Sequence, residues 1–160
     1  MDGVGTIFDS PRRSRLRILT DCLAMVFETA ISMLISGERD SVFVASIERY
    51  VAKAIGATRT TDVRLSRKSF FHIRDTHSHI KLEHFKMLPD AIRRGFVILE
   101  SSRPWFATIC YIHRESSIRY AIPIKATKQG DEIYIQSFHR MKPRQTKALL
   151  NRGQALRNHK

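Results

Sequence analysis

Apolar residues recur at three- and four-residue steps through Leu16, Leu19, Leu23, Val26, Phe27, Ala30, Met33 and Leu34, and Gly37 follows. That period predicts an amphipathic helix over residues 14–35, stopped at Gly37. Ser41 is a helix-capping type, and Val44, Ile47, Tyr50, Val51 and Ile55 ahead of Gly56 predict a second helix. Such a helical hairpin cannot bury its apolar faces alone, so it packs on the rest of the chain or on another copy. ATRTTD, residues 57–62, loses the period and marks the boundary between an N-terminal helical segment, 1–60, and a second segment, 61–160.

The second segment starts with a short strand at Val63 to Leu65, after which Ser66 caps a helix running to about Thr76. Leu82, Phe85, Leu88 and Ile92 keep a helical period; in MLPDAIRRG, Pro89 opens a new turn and Gly95 closes it. From Phe96 the period changes to two. VILE, WFATICYIHR, SIRYAIPIKA and EIYIQSFHR are β-branched or aromatic runs separated by turn residues, which predicts an antiparallel meander of about four strands. In the third run Ile118, Tyr120, Ile122 and Ile124 share one face, and Arg119, Ala121, Pro123 and Lys125 the other. The expected fold is α+β: an N-terminal helical hairpin, then helices packed on one face of a curved antiparallel sheet whose other face is open and basic.

Charge changes this picture from a shape to a partner class. The formal net charge is +13, which suits a polyanion and argues against cationic or neutral partners. It is unevenly spread, +1 over residues 1–60 and +12 over 61–160. After Glu132 no acid occurs, while Arg140, Lys142, Arg144, Lys147, Arg152, Arg157 and Lys160 follow, an electrostatic footprint or a solvated end. Arg12, Arg13, Arg15 and Arg17 read as a solvated cationic helix start, with nucleic-acid contact as the alternative. Cys22 and Cys110 lie far apart in apolar stretches, so they read as buried thiols of a reducing compartment and not as a metal knuckle or a disulfide. The apolar stretch Ile18 to Ile35 is broken by Asp21 and Glu28, so the expectation is a cytoplasmic protein without a membrane partner.

Two stretches carry candidate chemistry. FFHIRDTHSHIKLEHF, residues 70–85, holds four of the seven histidines. Metal binding needs three or four converging ligands, and spacings of five, two and seven on a helix do not converge, so no metal is expected. His72, His79 and His84 read as half-packed or solvated residues, whereas His77 falls where the helix gives way to polar THSH and can aim toward the sheet. In IQSFHRMKPR, residues 135–144, a strand ends in Ser137, His139 and Arg140, a place where an imidazole, a hydroxyl and a guanidinium can move a proton and hold a phosphate.

LSRKSFFHIRDTH, LPDAIRRGFVILE, SIRYAIPIK and GDEIYIQSFHR, in that order over about residues 61–145, resemble the phage-type members of the barnase, EndoU, colicin and RelE-like nuclease superfamily. The resemblance implies metal-independent, cofactor-free endoribonuclease activity on the open sheet face, with a toxin as one biological setting. His77 then matches the helix-end histidine, Ser137, His139 and Arg140 the polar cluster of the last strand, and Lys125 the basic residue of the strand before. The added histidine in the tail leaves open which of His77 and His139 is base and which acid. Arg119, Lys125, Lys142 and Arg144 join Arg140 as substrate-binding cations, with Tyr134 or Trp105 to stack a base, although Trp105 reads rather as a strand-core residue. RNA is the expected partner. The two leading helices lie outside the nuclease core and imply a homodimer contact or a surface for an inhibitor protein. Two other classes fit the same residues: a non-catalytic nucleic-acid binder, and an interaction protein whose working part is the helical hairpin.

Overall fold

The structure, a computed structural model, describes residues 11–157; within the first helix, side chains are described at Cys22 and from Ala24 onward. The side chains of Arg12, Arg13, Arg15, Arg17, Leu16, Leu19 and Leu23, and Lys160, lie outside the described residues.

Helix α1 (Pro11–Ser36) ends where expected, because Gly37 adopts φ +83°, a conformation side chains with a Cβ rarely take. Its Phe27, Ile31 and Leu34, at four- and three-residue steps, are buried on the body, while Met25 and Val26 on the outer side stay exposed. Cys22 is exposed too, against expectation, and only Cys110 is buried, its thiol pushed up to about 12 by desolvation.

The second helix of the expected hairpin is mostly a strand. Residues Ser41–Ser46 form β1, followed by a short helix α2 (Arg49–Ala54). SVFV is β-branched and aromatic, and its alternation buries Val42 and Val44 while exposing Phe43, so period two wins over the helical spacing from Val44 onward. β1 pairs antiparallel with β2 (Asp62–Ser66), Val42 opposite Leu65, with a register shift between Phe43 and Ala45. The ATRTTD stretch thus leads from α2 into a strand beside β1, and one apolar core runs from Phe27 through Val63 to Phe138.

Ser66 caps helix α3 (Arg67–Thr76) as its position predicts, accepting from the Ser69 N–H at 3.0 Å. A 3₁₀ turn (Leu82–Met87) and helix α4 (Leu88–Arg94, capped at Gly95) follow. A Cβ at Gly95 would lie 2.7 Å from the Ala91 carbonyl and from Ile109 Cγ2, so the chain passes there only as glycine. The four expected strands are β3 (Phe96–Glu100), β4 (Phe106–Ile112), β5 (Arg119–Ala126) and β6 (Ile133–Ile135). The sheet is larger than expected because β1, β2, β7 (His139–Met141) and β8 (Gly153–Arg157) join it, giving eight described strands in the order β1-β2-β6-β5-β4-β3-β8, with β7 on β5.

Helices do not keep to one face. Helix α5 (Pro143–Arg152) covers the other side, where Leu149 packs with Ile98 and Cys110 in a small separate cluster. The residues after Glu132 are consequently an ordered β6–β7–α5–β8 run up to Arg157, which is buried. Among the described residues no helix is long and apolar enough to cross a membrane.

One pairing positions the site. β2 and β6 run parallel, Val63 opposite Ile133, whereas the other described pairs are antiparallel. Parallel neighbours leave the sheet at the same end, so α3, which continues β2, and residues 136–141, which continue β6, travel side by side.

Candidate functional site

The two ribbons meet in a cluster of imidazoles. His77, the C-cap of α3, places Nε2 3.1 Å from Ser137 Oγ, and that oxygen lies 3.3 Å from His139 Nδ1. A hydroxyl has one proton, so Ser137 donates to one ring and accepts from the N–H of the other. This bridge leaves His77 Nδ1 and His139 Nε2 as the ring nitrogens that Ser137 does not engage. The two ring centroids are 5.1 Å apart.

His79, read from the sequence as a bystander, belongs to the group. Its ring centroid is 5.8 Å from that of His77, and its Nε2 accepts the Arg140 backbone N–H at 3.2 Å. The accepting role puts the proton of the neutral ring on Nδ1. Helical spacing was the wrong test for this pair: α3 stops at Thr76, and residues two apart in non-helical chain can face the same way. The polar, helix-breaking THSH run was the usable signal. His72 and His84 do stay outside, His72 within 3.4 Å of Thr76 Oγ1 and His84 accepting the Lys81 N–H at 2.8 Å.

Burial and mutual repulsion favour neutral rings. Desolvation, then the neighbouring His79 and His72, lowers the pKa of His77 below the ordinary imidazole value. Desolvation, then His77 and His79, lowers that of His139; desolvation, then the Arg140 guanidinium and His84, lowers that of His79. Two charges at about 5 Å repel by between about 1 and 3 kcal/mol, depending on how wet the gap is. That is on the order of one or two pK units, enough for the rings to titrate as a coupled set in which a second proton is disfavoured.

The depressed values bear on stability. The unfolded chain takes up protons near pH 6.5, before the folded cluster does, so the contribution is fully present above about pH 6.5 and is lost as pH falls toward the folded values. The melting temperature is expected to fall from pH 8 to pH 5.5, and His139→Gln to flatten that slope. An unchanged slope in the variant would mean that other groups control it.

Beside the imidazoles lies an open cleft of about 640 Å³, lined among others by His79, Arg119, Arg140, Lys142 and Gln145, with no acidic residue in its lining. The strand pairing sets His139 opposite Ala121, Arg140 opposite Tyr120 and Met141 opposite Arg119. His77, Ser137 and His139 therefore form one cluster, and Arg119, Arg140 and Lys142 line the cleft that adjoins it at His79. Three expected residues stand apart. Lys125 is four residues along β5 from Ala121, about 13 Å away, and its ammonium sits 5.1 Å from the Phe106 ring centroid. Arg144 is exposed on the first turn of α5 and does not line the cleft. Tyr134 lines a second depression. Trp105 is 44% exposed and lies against Gly56, so it is a turn-packing residue, not a strand-core one.

Among the described residues no three His, Cys, Asp or Glu side chains are grouped to hold a metal ion. What the arrangement can do is pass a proton between two imidazoles through a hydroxyl and hold an anion on the adjoining cations. Compared with protein-family models, curated proteins and solved structures, the chain matches none, so the chemistry of the site follows from its own geometry.

Proposed function

We propose that the protein is a metal-independent endoribonuclease that cleaves RNA by attack of the 2′-hydroxyl on the adjacent phosphorus. The observation that supports this is the Ser137-bridged pair His77 and His139 opening beside a cationic cleft. RNA carries its own nucleophile, so the protein has little covalent work to do. One imidazole removes the 2′-hydroxyl proton, the oxygen forms a bond to phosphorus, the bond to the 5′-oxygen breaks, and the other imidazole protonates that leaving oxygen. Arg140, Arg119 and Lys142 hold the non-bridging oxygens, whose charge grows in the transition state. Neutral rings near pH 7 suit the base, and a single shared proton suits the acid.

A second reading has a specific observation behind it: Ser137 Oγ at 3.1 Å from His77 Nε2 is within the reach of a serine nucleophile and its base. The two chemistries differ in substrate and product. Attack by the 2′-hydroxyl requires RNA and leaves a 2′,3′-cyclic phosphate, whereas a serine nucleophile accepts DNA, displaces one ester oxygen to form a phosphoserine diester, and leaves a linear phosphate when water breaks the serine–phosphorus bond.

Purified protein incubated with end-labelled RNA in excess chelator is expected to produce fragments ending in a 2′,3′-cyclic phosphate, and to leave DNA of the same sequence whole. Intact RNA with tight, salt-sensitive retention would instead mark a nucleic-acid-binding protein without turnover.

A further inference from the structure

Two depressions flank the imidazole cluster, and only one has been given a role. The second, of about 520 Å³, is lined by Ser66, Lys68, Ser69, His72, Tyr134 and Gln136, again without an acid. The same two ribbons lead from it, through the cluster, into the cationic cleft. On one ribbon His72 lines the second depression, His77 belongs to the cluster and His79 lines the cleft. On the other, Gln136 is followed by Ser137 and His139 in the cluster and by Arg140 in the cleft. A linear ligand laid along the ribbons with a phosphate at His77 and His139 would place its neighbouring units in the two depressions.

Tyr134 is held at its hydroxyl end as well as by packing of its ring. Its hydroxyl donates to Glu132 Oε1 at 2.9 Å. With the phenol oxygen tied to Glu132, the half-buried ring is anchored at the depression wall. A fixed aromatic face next to a cation, Lys68, and an uncharged amide, Gln136, is the equipment that receives an unpaired base and its phosphate.

We propose that this depression is a base-stacking subsite for the nucleotide next to the scissile phosphate, with Tyr134 as the platform and Lys68 on the flanking phosphate. This rests on the ribonuclease reading for its register, and it narrows the substrate class to single-stranded RNA. A base inside a duplex is already stacked and presents no face to Tyr134.

The test uses the full-length chain and fluorescein-labelled 2′-O-methyl oligonucleotides, which have no free 2′-hydroxyl, so binding is read apart from cleavage. Tyr134→Leu is expected to weaken binding of the single strand about tenfold, and Tyr134→Phe to weaken it little because the ring remains. Lys68→Ala, an exposed change that leaves the core alone, is expected to reduce the slope of log affinity against log salt by about one phosphate contact. The single strand should outbind the duplex of the same sequence. Equal affinities of the Leu variant and the parent, an unchanged salt slope in the Lys68 variant, or preference for the duplex would each overturn the subsite. If natural RNA stays uncut while these binding changes appear, the catalytic reading and the register fall, and a base-stacking site for single-stranded RNA stands.

Discussion

Replacing His139 or His77 with alanine is expected to lower kcat on single-stranded RNA by about 10²- to 10⁴-fold, the range lost when a positioned acid or base is removed. The two losses should not add. Ser137 joins the rings at 3.1 and 3.3 Å, so removing either one frees the hydroxyl to donate to or accept from the other, whose tautomer is then no longer fixed. The double variant should therefore be little worse than the weaker single one. In the parent, kcat/KM is expected to follow a bell whose limbs belong to the coupled imidazoles and not to one residue, with the acid limb below the ordinary imidazole value because burial and repulsion lower the pKa values of His77 and His139. Single-turnover rates across pH check this, alongside circular dichroism to show that each variant is folded. Full activity in either alanine variant would remove that ring from the chemistry.

How much of this was legible in the sequence depended on how far apart the interacting residues stand. Ser66 capping α3 and the strands β4 and β5 are local and lie where the pattern puts them, although both strands are buried on both faces over most of their length, where the pattern predicts one open face. β1 was misread because Val44, Ile47, Val51 and Ile55 satisfy a helical spacing, and what decides for a strand is pairing with residues 62–66, which no window around residue 44 contains. The joining of His77 to Ser137 across sixty residues was legible in outline, since one sits at a helix end and the other at a strand end. Its cause, the parallel pairing of β2 with β6, was not. Lys125 shows the opposite failure: correct strand, correct sign of charge, but too far along the strand from His139 to share its cleft.

Arg157→Met is expected to have the largest effect on stability, a loss of about 3 kcal/mol. In the sequence Arg157 is one more cation in an acid-free tail, but its side chain is 4% exposed. Its Nε donates to the Gly95 carbonyl at 2.9 Å and its Nη2 to the Ile92 carbonyl at 2.6 Å, which satisfies acceptors at the C-terminal end of α4. Its Nη1 pairs with the carboxylate of Glu48, the N-cap residue of α2. One guanidinium thus ties β8 to the ends of two helices, and a lysine could not reproduce the fork. Methionine keeps apolar volume but leaves two helix-end carbonyls without this donor and Glu48 without this cation. Glu48 is itself partly open to water, which keeps the loss toward the low end for a broken buried pair. For a chain of this length the melting temperature should drop by roughly 10 °C. Glu48→Gln should cost less, and the double variant should show coupling between the two sites, since they share one hydrogen bond. A melting temperature within a degree or two of the parent would mean that water replaces the guanidinium without loss, and that packing and sheet pairing hold α2, α4 and β8 in place without it.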